Sequence, residues 1–76
     1  DIYDISVEEL EFVTTHLLNT NLSLDKIELV RLVARAFGFQ KVGNQVDTII
    51  YSVLGNMEQK GLITNSEGRI SLAPAK

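Results

Sequence analysis

Seventy-six residues, 45% apolar and 22% charged, suffice for one small domain with one core and argue against a disordered chain. The absence of cysteine excludes a disulfide framework and thiolate zinc ligands, and it fits a reducing, cytoplasmic setting. The net charge of −3 is unevenly spread: the first eleven positions hold five acids, Asp1, Asp4, Glu8, Glu9 and Glu11, and no base, which leaves seven basic and five acidic residues in the remainder.

The apolar runs are too short to span a membrane, and the acidic start is unlike a secretory signal. The chain begins at Asp1 and its single methionine is Met57, which predicts a piece of a longer protein. Residues 1–5 are expected as a loose leader.

Ser6 followed by Glu9 is a capping box and predicts the start of a first helix. Val7, Leu10, Val13 or Thr14, Leu17 and Leu18 continue it at helical spacing, and "NTN" at 19–21 favours a stop. "LSL" at 22–24 alternates as a minimal strand. Asp25 with Glu28 reads as a second capping box opening helix two, whose buried face is expected to be Ile27, Leu29, Val30, Val33, Ala34 and Phe37. Gly38 stands where a helix end requires positive φ, and Phe39 is expected to anchor the corner.

Helix three is predicted from Asn44 to Lys60, ending at Gly61, with Val46, Ile49, Ile50, Val53, Leu54 and Met57 inward. Its other face is small and uncharged, and Gly55 in its middle costs about 1 kcal/mol against alanine. Leu62 to Thr64 and Arg69 to Leu72 read as strands around a four-residue "NSEG" turn, with Ile63, Ile70 and Leu72 inward. Residues 73–76 close the chain as an expected loose tail.

Helix, short strand, helix, helix, hairpin is the order of a winged helix-turn-helix, an α+β fold, here as a single domain over 1–76. The resemblance is carried by "MEQKGLITNSEGRISL", Met57 to Leu72, which is similar to the winged-helix pattern of a helix ending in a charged residue and Gly-Leu-Ile before strand, turn and strand. "LDKIELVRLVARAFGFQKVGNQVDTIIYSVL", residues 24 to 54, further resembles a C-terminal domain of unknown function. That domain is attached to large bacterial helicase-like proteins with a nuclease-type domain. The resemblance implies a helicase-associated, non-catalytic accessory module, with other domains of its parent chain as partners. It brings no catalytic residues to carry over.

Gly38 and Gly43 have the spacing of half a phosphate-binding loop. That loop requires Lys and then Ser or Thr after its second glycine and follows a strand; here Asn44 and Gln45 fill those places after a helix. A serine nucleophile would need His16 as its base, and no partner for His16 is marked. One histidine and scattered carboxylates lack metal-ligand spacing. No enzyme activity, cofactor, metal or small-molecule substrate is expected.

DNA binding has a physical route. The second helix of a helix-turn-helix enters the major groove N-terminus first, which makes Asn44, Gln45 and Thr48 candidate base readers. Arg31, Arg35, Lys41, Lys60 and Arg69 are candidate phosphate contacts. The alternative is a module that docks onto protein, in its own chain or another. A joined positive face would favour DNA, and an exposed apolar patch would favour protein.

Overall fold

The computed structural model of the chain describes residues 2–41 and 43–74. Asp1, Ala75 and Lys76, part of the expected leader and tail, lie outside the described residues. Among those described, the fold is α+β, with three α-helices and one small antiparallel sheet.

Ile2–Asp4 forms a 3-10 turn, and Ile2, within the expected leader, is only 3% exposed in the core. The Ser6 capping box is complete: its hydroxyl accepts from the Glu9 N–H, and Glu9 accepts from the Ser6 N–H, both at 3.1 Å. It opens α1, Val7–Asn21, which buries Leu10, Thr14 and Leu18 at i, i+4, i+8. Thr14 can be buried because its hydroxyl donates to the Leu10 carbonyl at 2.7 Å. Val7, expected inward, is instead 45% exposed in the first turn.

The helix stops within "NTN", at its last residue. Thr20 and Asn21 donate from their side chains to the His16 and Leu17 carbonyls, so the last turn persists to Asn21. Leu22 then turns the chain at φ 63° and ψ −58°, a region that leucine rarely occupies, and is left exposed. The first strand accordingly starts one residue later than expected, as β1, Ser23–Asp25.

Asp25 both ends β1 and caps α2, Lys26–Ala36, by accepting from the Ile27 N–H at 3.1 Å. The reciprocal half of the expected second capping box does not form; Glu28 turns to Arg31 at 3.9 Å. The helix buries Leu29, Val30, Val33 and Ala34. Ile27 departs from expectation at 56% exposed, because it heads the outward row continued by Arg31 and Arg35.

Two helices end alike. After α2, Gly38 at φ 90° donates to the Arg35 carbonyl while Phe39 donates to Ala34. After α3, Asn44–Gln59, Gly61 at φ 77° donates to Glu58 and Leu62 to Met57. These are the paired bonds of a glycine helix stop, which a residue with a Cβ would strain. Lys60 caps α3 from just outside it. The helix buries Val46, Ile50, Val53, Leu54 and Met57, with Ile49 half-buried.

β2, Ile63–Ser66, and β3, Arg69–Leu72, form a hairpin whose loop is two residues, Glu67 and Gly68, at φ 52° and 88°. The expected four-residue loop is therefore shorter. Asn65 and Ser66 are drawn into pairing with Ile70 and Arg69, and two positive-φ residues match the twist of the strands. β3 is central, with β1 on its other edge through Ser23–Ser71, Leu24–Ile70 and Asp25–Arg69. Ile63 and Ile70 are buried against the helices, and Leu72 half-buried.

Candidate nucleic-acid interface

The first turns of α3 begin at Asn44, with Gly43 as the N-cap. Asn44, Gln45 and Thr48 are exposed there, and Ser52, Gly55, Asn56 and Gln59 extend the same face. No basic residue belongs to α3, whose charges are half-buried Asp47 and exposed Glu58. This face offers amides and hydroxyls, which can hydrogen-bond base edges, but no charge of its own for a phosphate.

Beside it lies a recess of about 600 Å³ between α2, the corner and α3. It is built from rows at helical spacing. Ile27, Arg31 and Arg35 follow each other at four-residue steps on α2, and Asp47 and Tyr51 do so on α3. Phe39, Gln40 and Lys41 close the end where the two helices meet. Three of the five expected cations, Arg31, Arg35 and Lys41, thus share one wall system.

Arg31 reaches Glu28 only at 3.9 Å, with both side chains about half exposed, a pair worth little in water. Lys26 places its Nζ 5.2 Å from the centroid of the Tyr51 ring. Lys26, Tyr51, Phe39 and Gln40 were not among the expected contacts. Their signal in the sequence is the four-residue step from Asp47 to Tyr51 and the position of Phe39 just past a glycine stop.

The other two cations are engaged elsewhere. Lys60 contacts Glu11 on α1 at 3.0 Å, a helix length of roughly 24 Å from Asn44 at 1.5 Å per residue. Arg69 donates to Ser23 on β1, from Nη2 to the carbonyl at 3.2 Å and to the hydroxyl at 3.0 Å. A different patch stands by α1: Phe12 is 74% exposed and lines a recess of about 290 Å³ with Glu8, Glu9, Val13 and Phe37.

Among the described residues no three His, Cys, Asp or Glu side chains come together to hold a metal, and no helix is long and apolar enough to cross a membrane. His16 is exposed on α1. No family model, curated protein or solved structure matches the chain.

Proposed function

We propose that the chain is a winged-helix module that binds DNA and catalyses nothing itself, an accessory part of a larger helicase- or nuclease-like protein. The element order and the β1-β3-β2 sheet are compatible with a winged helix, with α2 and α3 as the helix-turn-helix and β2–β3 as the wing. The observation that carries the reading is the neighbourhood of Asn44, Gln45 and Thr48: exposed, uncharged hydrogen-bonding side chains at an α3 N-terminus, beside Arg31, Arg35 and Lys41. In a major groove these would divide the work, the α3 residues reading bases and the cations holding phosphates.

Fluorescence anisotropy with a labelled duplex tests it. Three phosphate contacts give a slope of log affinity against log salt of about −3. Lys41→Glu is expected to weaken binding with the fold intact. No binding at tens of micromolar protein in low salt, roughly the strength of non-specific binding, sinks the reading.

One observation favours a second reading, protein docking. An exposed phenylalanine in an apolar recess rimmed by Glu8 and Glu9 suits a basic amphipathic segment of another domain. Duplex binding that fails while Phe12→Ser abolishes association with the parent chain would shift the assignment there.

A further inference from the structure

We infer that the recess between α2 and α3 seats a single nucleotide, its phosphate on Arg35 and Lys41 and its base toward Tyr51. This names the unit recognised and rests on the nucleic-acid reading above. A recess of about 600 Å³ is of the size of small-ligand sites, whereas a duplex backbone is a convex surface that touches only its rim. An unpaired nucleotide can enter.

The chemistry is graded along the recess. At the corner end, Arg35 and Lys41 supply charge-assisted donors and Gln40 an amide. At the other end, half-buried Tyr51 and the exposed Ile27 side chain offer an apolar and aromatic wall, while Phe39 adds a second ring at the corner. Among the described residues, Asp47 is the one acid lining the recess against Arg31, Arg35 and Lys41, so that wall is net positive; its carboxylate can accept from a base amino group or a sugar hydroxyl. Glu28 and Lys26 lie just outside and oppose one another in sign.

The same chemistry could come from a free nucleotide or from a unit within a single strand, and the experiment separates them. Amide shifts are followed by NMR on titration with dTMP, and anisotropy is measured with labelled oligo-dT and with duplex. Oligo-dT is expected to move the amides of Phe39, Gln40, Lys41 and Tyr51, and Arg31→Glu with Arg35→Glu to weaken it at least about tenfold. Arg35→Gln alone serves if the double variant does not fold. His16→Ala, on the exposed side of α1, should leave oligo-dT affinity within about twofold, because that side chain is no part of the recess. Shifts by dTMP at the same amides identify a free nucleotide as sufficient; shifts by oligo-dT alone identify a strand. Oligo-dT that leaves those amides still, or binding indifferent to both arginine variants, overturns the inference. Oligo-dT bound without duplex removes the groove reading and keeps the recess; duplex bound without oligo-dT does the reverse.

Discussion

Arg69 on β3 grips Ser23 on β1: its Nη2 donates to both oxygens of that serine, and its Nε lies 3.3 Å from the hydroxyl. β1 is only three residues long, and this grip adds side-chain bonds to a short backbone ladder. A guanidinium held this way is committed to the sheet. Arg69→Ala is therefore expected to lower stability by about 1 kcal/mol, the scale of a few exposed hydrogen bonds, and to leave duplex affinity within about twofold. Urea denaturation and anisotropy on the same sample check both halves. A large loss of affinity at unchanged stability would return Arg69 to the phosphate contacts.

Lys60 is engaged in a similar way, with Glu11 at 3.0 Å, joining the end of α3 to α1. Lysine is more than half exposed and Glu11 less so, which places the pair near the weak, solvent-screened class. A double-mutant cycle with Lys60→Ala and Glu11→Ala should give a coupling of about 0.5 kcal/mol that shrinks in high salt. A coupling above 2 kcal/mol would mean the contact is far better shielded than its exposure indicates.

Glu67 occupies the first loop position of the hairpin at φ 52°, followed by Gly68 at 88°. Paired positive φ is what Asn-Gly adopts with least strain, whereas glutamate has no local hydrogen bond to offset it. Glu67→Asn should raise stability by about 0.5–1 kcal/mol, read as a higher urea midpoint at unchanged slope. A neutral or lower midpoint would show that the turn accepts glutamate without cost.

What could be read from the sequence was whatever one residue type does alone. Gly38 and Gly61 were legible as helix stops because positive φ excludes most side chains, and Ser6 with Glu9 because a capping box is local. Leu22 was not, since nothing about leucine announces φ 63°. Ile27 fits a helical pattern read from either side, and only the packing of α2 assigns it to the row of Arg31 and Arg35. "NSEG" is made of turn formers, yet pairing with β3 claims Asn65 and Ser66. The partners of Lys60 and Arg69 stand 49 and 46 positions away. The recess was hidden for the same reason: each wall shows its spacing in the sequence, but the crossing of the helices does not.

Phe12 and Leu10 sit two positions apart on α1 with opposite fates, 74% and 1% exposed. Leu10→Ala should cost about 2–5 kcal/mol through lost burial and a cavity. Phe12→Ser should change stability by no more than about 0.5 kcal/mol, since surface changes away from special features are small. Thermal melts of both variants decide it. A large cost at Phe12 would mean that its ring is shielded in solution, by this chain or by another copy.

Gly55 lies mid-helix in the exposed face of α3, and a Cβ added there meets nothing within 4 Å. The glycine is thus not required by packing within the chain. Gly55→Ala should raise stability by about 1 kcal/mol, because alanine loses less backbone entropy on entering a helix. The same residue separates two functional readings. Bases read at the α3 N-terminus leave a methyl group at Gly55 two to three turns away, so duplex affinity should be unchanged. A partner pressed flat against the middle of the helix would meet that methyl, and binding would fall while stability rose. Measuring both on one variant tells which part of α3 is in contact.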